Sequence, residues 1–177
     1  MQRQQGTRVS QNNYSRRNQQ KTPFFDFSII IRYIAIWILL ALISFGVKHL
    51  VMIGISMSPT GYVGNGFLTL SEVHNTGAAF NLFSEQPEMI IIASFFAVAI
   101  MAFIVLVTSS KQSPTAVSAM SALSAGITLN MLERIEYGYV IDYIHCNFAP
   151  NIPVFNVPDI FIVVGAISLI LSVLTKK

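Results

Sequence analysis

Charged residues and cysteine are scarce in this chain. Of its 177 residues only 11% are Asp, Glu, Lys or Arg, which is low for a water-soluble domain and favours a membrane protein. The single cysteine, Cys146, excludes an internal disulfide framework. The three histidines, His49, His74 and His145, are scattered and lack the spacing of zinc ligands. We therefore expect no metal site and no other cofactor.

Apolar residues are abundant instead. They make up 53% of the chain, and the mean hydropathy is +0.60. A helix needs about 20 mostly apolar residues to cross a bilayer, and four runs meet this need: residues 28–47, 89–110, 115–132 and 157–175. We expect an all-α integral membrane protein with four transmembrane helices in one domain, residues 27–177. The third run also has small residues spaced for close helix packing: Ser118, Ser121, Ala122 and Ala125.

Residues 1–26 have a different composition, rich in Gln, Asn, Arg and Ser. Such a segment cannot bury enough apolar surface to offset its ordering entropy, so we expect a disordered cytoplasmic tail. Nucleic-acid binding by this basic tail is not expected, because it offers little beyond Tyr14 on which bases could stack. The apolar run that follows is too long for a cleavable signal peptide and lacks a small-residue cleavage site. We expect that run to remain as a membrane anchor.

The Lys and Arg residues predict the orientation, because positively charged flanks stay on the cytoplasmic side. With both termini inside, the inner side holds nine of the eleven: Arg3, Arg8, Arg16, Arg17, Lys21, Arg32, Lys111, Lys176 and Lys177. The outer side holds only Lys48 and Arg134. Residues 48–88 and 133–156 are therefore expected at the outer face.

The first outer segment, residues 48–88, is not helical in pattern. Its first half is interrupted by glycines and a proline: Gly54, Pro59, Gly61, Gly64 and Gly66. Residues 67–73 then alternate in polarity and predict a short strand. Asn75 and Gly77 follow, and the small residues after Asn75 let the backbone lie close to a ligand or another strand. Asn75 itself can hold a substrate carbonyl or cap a turn.

Residues 129–160 contain four of the chain's eight acidic residues. Asp142 and Asp159 lie where apolar helices meet an interface, and carboxylates there are costly to desolvate and tend to serve a function. We hypothesise that they form a catalytic carboxylate pair. Asn130, Glu133 and Arg134 share one helix face. Glu133 and Arg134 form either an ion pair of structural value or part of the site.

Peptide hydrolysis by two carboxyl groups requires one to be protonated and one ionised, so that a shared water can be deprotonated while the scissile carbonyl receives a proton. Asn156 is a good N-cap and Pro158 suits the first turn of the fourth helix. The helix terminus should therefore favour the charged form of Asp159. Asp142, in an extended aromatic stretch, has no comparable support that the sequence shows. We expect Asp142 to hold the shared proton.

Three stretches together resemble the lipoprotein signal peptidases, or signal peptidase II, the bacterial membrane aspartic proteases that remove signal peptides from prolipoproteins. The first, Asn75-Thr76-Gly77-Ala78-Ala79-Phe80, fits the family's Asn-x-Gly-Ala-Ala-Phe motif. The others are Tyr137-Gly138-Tyr139-Val140-Ile141-Asp142 and Phe155-Asn156-Val157-Pro158-Asp159. The resemblance covers roughly residues 28–175 and leaves out the tail.

The resemblance implies four transmembrane helices with a small extracytoplasmic β-cradle, in the bacterial inner membrane, with the active site at the outer face. It implies an enzyme that cuts prolipoproteins before a diacylglyceryl-modified cysteine, with Asp142 and Asp159 as the catalytic pair. We expect a monomer among membrane lipids. Six residues match positions that bind substrate or support the site: Asn75, Gly77, Asn130, Glu133, Arg134 and Asn156.

Four positions depart from the family's pattern. Leu129 replaces a glycine, Glu133 an aspartate, Pro158 an alanine, and Ser44 an aspartate of the first helix. We expect these changes to affect efficiency and substrate preference more than the type of reaction. Glu133 is expected to support the site from outside, holding Arg134 or a loop amide near Asn130.

The sequence bears on three other functions. The changes at Leu129 and Glu133 leave open a catalytically silent relative that binds lipoprotein precursors without cutting them. A small transporter would need polar residues at mid-membrane depth, and the second and fourth runs are nearly bare of them. A Cys–His protease is not expected, because His145 and Cys146 are sequence neighbours that neither a helix nor a strand brings face to face.

Overall fold

The structure is a computed structural model that describes residues 26–64, 66–77 and 86–175. Its elements in chain order are α1 (Phe27–Met57), β1 (Tyr62–Gly64), β2 (Leu68–Asn75), α2 (Pro87–Thr108), a 3₁₀ turn (Ser109–Lys111), α3 (Pro114–Tyr137), β3 (Val140–Cys146) and α4 (Val157–Leu174). Within the described ranges, four helices are long and apolar enough to cross a membrane. The prediction of four transmembrane helices with a small sheet is confirmed. The tail predicted over residues 1–26 lies, except for Asp26, outside the described residues.

Helix α1 is longer than the predicted run. It continues ten residues past position 47 to Met57, so the expectation that residues 48–57 are non-helical is wrong. At 1.5 Å per residue its 31 residues extend about 46 Å, more than the about 30 Å of a hydrocarbon core. The helix ends at Met57. The next residue, Ser58, has an extended ψ of 127°, because Pro59 disfavours a helical conformation in the residue before it. Lys48 therefore lies inside α1 and not at its end.

Helix α3 is the centre of the bundle, in contact with α1, α2 and α4. Two glycines let α3 and α4 approach closely. A Cβ on Gly126 of α3 would meet the carbonyl of Pro158 and lie 2.7 Å from Ile162 Cγ1. A Cβ on Gly165 of α4 would lie 2.7 Å from the backbone nitrogen of Leu123. Small residues at this interface therefore hold the first turn of α4 against α3.

The apolar core lies at the end of the bundle where α1 and α3 begin. It consists of four buried residues from three helices: Ile29, Val105, Val117 and Met120. Nearby, Ser121 of the predicted small-residue stripe donates a hydrogen bond of 2.7 Å to the Tyr33 carbonyl. The Tyr33 hydroxyl donates to Ser124 at 2.7 Å. These contacts hold α1 against α3 at this end of the bundle, and the sheet lies at the other end.

The three strands form an antiparallel sheet in the order β1-β2-β3. The strand predicted at residues 67–73 is confirmed as β2, which runs two residues further to Asn75. Pairing of β2 with β3 sets Val73 opposite Asp142 and is interrupted by a bulge between Leu70 and Val73. Asn75 and Asp142 therefore lie on adjacent strands.

Phe155 connects the sheet to α4. Its carbonyl accepts hydrogen bonds from the N–H groups of Tyr143 at 3.0 Å and Ile144 at 2.8 Å. Because Phe155 directly precedes Asn156 and α4, this contact holds the start of α4 beside β3.

Candidate active site

Asp142 lies within β3, and only 2% of its surface is exposed. Each carboxyl oxygen accepts a hydrogen bond from an amide: Asn75 Nδ2 at 2.8 Å and Asn156 Nδ2 at 3.0 Å. These two amides support Asp142 in a way that the sequence does not show. Burial raises the pKa of Asp142 to about 7, because the charged form is poorly solvated and the Asn75 hydrogen bond offsets only part of that cost. The nearby Asp159 charge acts in the same upward direction.

Asp159 lies in the first turn of α4, where it forms a capping box with Asn156. The Asn156 side chain accepts the Asp159 N–H at 2.9 Å, and Asp159 Oδ2 accepts the Asn156 N–H at 3.0 Å. The predicted N-cap role of Asn156 is confirmed. Asp159 Oδ1 accepts from Asn130 Nδ2 at 2.8 Å. Both oxygens thus accept hydrogen bonds at the positive end of the helix dipole, and these interactions each favour the charged form of Asp159.

Asn156 connects the two aspartates. Its side chain is fully buried, and Nδ2 donates to Asp142 and to Asn130 Oδ1, each at 3.0 Å. Because Asn130 in turn donates to Asp159, two amides join the two carboxyl groups. The structure therefore places both predicted aspartates in one hydrogen-bond network.

Arg134 holds the turn that carries Asn75. It is 8% exposed and donates to the carbonyl of Asn130 at 3.2 Å and to the carbonyl of Gly77. The Gly77 N–H donates to Asn75 Oδ1 at 3.0 Å, so the amide that binds Asp142 is itself fixed. The guanidinium charge lowers the pKa of Asp142 and so partly offsets the effect of burial. Among the described residues, Arg134 Nε has no hydrogen-bond partner.

Glu133 lies at the margin of this network. Its Oε2 accepts the backbone N–H of Ile141 at 2.8 Å, and its Oε1 accepts from Lys48 Nζ at 2.9 Å. We expected Glu133 to hold Arg134 or a loop amide. The structure shows a backbone amide, in β3, and the salt bridge of Glu133 is with Lys48. We did not predict Lys48 as part of the site. The signal was present, because a lysine inside an apolar run that continues beyond it needs a partner.

Tyr143 is a second residue that the sequence did not single out. It is almost fully buried, and its hydroxyl accepts the Val157 N–H at 3.4 Å. Burial raises the pKa of Tyr143 to about 12, so the hydroxyl stays neutral. It supports the first turn of α4 beside the network.

A cavity of about 780 Å³ opens beside the two aspartates. Its polar wall includes Asn75, Asn130, Arg134, Asp142 and Asp159. Its apolar walls come from α2, α3, α4 and the loop before α4, and include Ile90, Ile127, Val154, Ile162 and Val163. A mostly apolar cavity with a few convergent polar groups is typical of a binding site.

The remaining candidate residues do not meet. His145 and Cys146 are consecutive in β3, opposite Thr69 and Leu68, so their side chains point to opposite faces of the sheet. Across the parts of the chain that the structure describes, no group of three or more His, Cys, Asp or Glu side chains is placed to hold a metal ion.

Fold and site together define a membrane protein with four spanning helices and a pair of amide-linked aspartates at one end of the bundle. Comparison with known proteins identifies the family. The family model described as Signal peptidase (SPase) II matches residues 36–175. A lipoprotein signal peptidase of Dehalococcoides mccartyi is 34% identical over 131 residues, which is 71% of this chain and 79% of that protein. One of Enterococcus faecalis is 30% identical over 130 residues, 73% of this chain and 80% of that protein. This chain belongs to the signal peptidase II family.

Solved structures agree on the fold. A bacterial membrane enzyme solved by the in meso method at 2.3 Å resolution superimposes with a TM-score of 0.70 at 24% identity, covering 82% of this chain and 91% of that one. A second such structure, at 1.9 Å resolution, gives a TM-score of 0.69 at 24% identity and covers 82% and 94%.

Proposed function

We propose that this protein is an intramembrane aspartic endopeptidase that removes the signal peptide from diacylglyceryl-modified bacterial prolipoproteins, cutting before the lipidated cysteine. Membership of the signal peptidase II family supports the reaction and the class of substrate. The observation that carries the proposal for the site is that Asp142 and Asp159 share one amide network and line one cavity.

In the proposed reaction Asp159 is the base and Asp142 the acid. Asp159 takes a proton from a water whose oxygen attacks the scissile carbonyl carbon, while Asp142 gives its proton to the carbonyl oxygen. The tetrahedral intermediate then collapses. The C–N bond breaks, the amine nitrogen takes the proton from Asp159, and Asp142 recovers a proton from the new carboxyl group. The pair ends with one shared proton, as it began.

The environments of the two carboxyl groups support this division of roles. A pKa of about 7 keeps a substantial fraction of Asp142 protonated near neutral pH. Asp159 accepts two hydrogen bonds at a helix N-terminus, where negative charge is favoured. The observed titration belongs to the pair and not to either residue alone.

The apolar walls of the cavity suit a signal helix that reaches the site from within the bilayer. Ile90 of α2 and Ile162 and Val163 of α4 face this space. We place the site at the outer face of the inner membrane with both termini cytoplasmic, because of the bias in Lys and Arg. Lipids would surround a monomer, and the lipidated cysteine would lie at headgroup level beside the aspartates.

A catalytically silent relative is the less favoured alternative. Leu129 and Glu133, which differ from the family's pattern, are not members of the aspartate pair. Glu133 still accepts a hydrogen bond from the backbone N–H of Ile141. Both aspartates keep their amide donors.

Incubation of the purified protein with a diacylglyceryl-modified prolipoprotein tests the proposal. Wild type should release the signal peptide, and Asp142→Asn and Asp159→Asn should each lower the rate by at least about 10³-fold, as loss of one member of a catalytic unit does. Both variants should insert in the membrane like wild type. Near-normal cleavage by either variant would overturn the assignment of the pair.

A further inference from the structure

Lys48 carries a charge inside the apolar helix α1. Its Nζ lies 2.9 Å from Glu133 Oε1 and 5.4 Å from the centre of the Tyr137 ring. Only 22% of the Lys48 side chain and 16% of the Glu133 side chain are exposed. A charge so placed is costly unless it is paired. Among the described residues, Glu133 is the one carboxylate within salt-bridge distance of Lys48.

The second oxygen of Glu133 reaches the strand that carries Asp142. Glu133 Oε2 accepts the Ile141 N–H at 2.8 Å, and Ile141 directly precedes Asp142. One carboxylate thus holds a lysine of α1 with one oxygen and the backbone of β3 with the other. These two bonds fix the rotamer of Glu133, because turning the carboxylate toward Lys48 alone would release β3.

We propose that Lys48 is a positioning residue of the active site, which acts through Glu133 on the backbone of β3 and so sets the place and the charge environment of Asp142. The proposal rests on the proposed function, since it assigns Asp142 a part in cleavage.

A small cavity beside the salt bridge gives the Glu133 side chain room to turn away from β3 if Lys48 does not hold it. A space of about 280 Å³ separates α1 from the end of α3 beside the salt bridge, with Ser44, Leu129 and Glu136 among its lining residues. Without the Lys48 ammonium, Glu133 Oε1 would lose its one salt-bridge partner among the described residues and could turn into this space. The hydroxyl of Ser44, one helical turn earlier, carries no charge that could replace it. Glu133 would then hold β3 less firmly.

The charge of Glu133 also acts on Asp142. The charged groups that influence Asp142 are Asp159 of α4 with Arg134 and Glu133 of α3, and Glu133 raises the pKa of Asp142. On β2, His74 pairs with Glu72 at 2.7 Å and stacks on Tyr139. Lys48 screens the charge of Glu133. Its loss should therefore raise the pKa of Asp142 further, whereas loss of the Glu133 charge should lower it.

Three variants of the full-length protein in lipid vesicles test this: Lys48→Met, Glu133→Gln and the double variant. We expect Lys48→Met to lower kcat by about tenfold, within the about 100-fold that a misplaced catalytic group can cost, with little change in KM. Its pH–rate profile should move to higher pH. The profile of Glu133→Gln should move to lower pH, and the double variant should lie close to Glu133→Gln, because Lys48 acts through Glu133. Lys111→Met makes the same substitution at an exposed lysine of the opposite end of the bundle and should leave both kcat and the profile unchanged.

A second readout does not depend on cleavage. Infrared difference spectra follow protonation of the Asp142 carboxyl, with Asp142→Asn to assign the band, and should show its titration moved upward in Lys48→Met. Equal titration of Asp142 in wild type and Lys48→Met would overturn the positioning role, whatever the activity. If wild type does not cleave while the titration moves as expected, the proposed function fails and the coupling of Lys48 to Asp142 stands. A loss of activity in Lys48→Met through KM alone would also contradict the proposal.

Discussion

Asn156 is the residue on which the geometry of the site most depends. It caps α4, donates to Asp142 and donates to Asn130, all from a fully buried side chain. Here the same amide sets the position of both carboxyl groups, so its loss should affect stability and catalysis together.

Replacement of Asn156 by alanine should therefore lower both the stability of the protein and its cleavage rate. Loss of the cap costs about 0.5–2 kcal/mol, and the carboxyl and amide oxygens left without a donor add about 1–3 kcal/mol. Thermal unfolding in detergent and the cleavage rate measure the two effects. Asn147→Ala removes an amide that, among the described residues, bonds Thr69 at the exposed end of the sheet, so this variant should change neither the stability nor the cleavage rate by much. Equal effects of the two substitutions would contradict the assigned role of Asn156.

Burial of Asp142 should also make the stability of the fold depend on pH. A carboxyl whose pKa rises from 3.8 to about 7 on folding contributes no penalty at low pH, where both states are protonated. As pH rises from about 4 to about 7, the unfolded state loses its proton first and stability falls, by about 4 kcal/mol at 1.36 kcal/mol per pKa unit. Above pH 7 the penalty stays constant.

Asp142→Asn, which cannot ionise, removes this penalty. The melting temperature of Asp142→Asn should exceed that of wild type by more at pH 8 than at pH 4, even though we expect this variant to be inactive. Thermal unfolding at both values checks the sign. A stability difference that is the same at pH 4 and pH 8 would show that Asp142 is not the group responsible.

At the scale of elements, close contact between α3 and α4 positions Asp159. Gly126 lies against the carbonyl of Pro158, in the same turn of α4 as Asp159. Any side chain at position 126 must push this turn away from α3, and Asp159 with it. Asn130, one helical turn further along α3, would then lose its hydrogen bond to Asp159.

Gly126→Ala should therefore destabilise the protein by about 1–3 kcal/mol, the usual cost of overpacking, and should reduce the cleavage rate. The matched control is Gly46→Ala in α1, where nothing lies within 4 Å of an added Cβ. That variant should unfold at the wild-type temperature or slightly above it, because alanine favours a helix more than glycine does. If both variants behaved alike, the contact between α3 and α4 would not be what holds Asp159.

At the scale of the whole molecule, the single cysteine is a natural reporter of orientation. Cys146 is partly exposed at the end of β3, and no second cysteine competes with it. If the site faces outward, a maleimide that cannot cross the membrane should label Cys146 in intact cells. In a Cys146→Ser background, Lys111→Cys should react only after the cells are opened. Labelling in the reverse order would overturn the orientation derived from the Lys and Arg bias.

The sequence by itself determined what depends on local chain properties. Four apolar runs are sufficient to predict four spanning helices, because crossing a bilayer requires length and hydrophobicity and little else. The cap of α4 was predictable for the same reason, since Asn156, Pro158 and Asp159 act within one turn. The end of α1 was not predictable, because a lysine after an apolar run normally flanks the membrane. Here its partner on α3 allows the helix to continue to Met57.

Only the tertiary structure decided which polar groups meet. Asn75 and Asp142 are 67 residues apart in the chain, and Lys48 and Glu133 are 85 apart. No local pattern encodes such pairs, because they depend on the register of β2 against β3 and on how α1 packs on α3. The support of Asp142 was missed for this reason. Its donors come from distant segments that the fold brings together, and a buried carboxyl group must find its partners there because water is excluded.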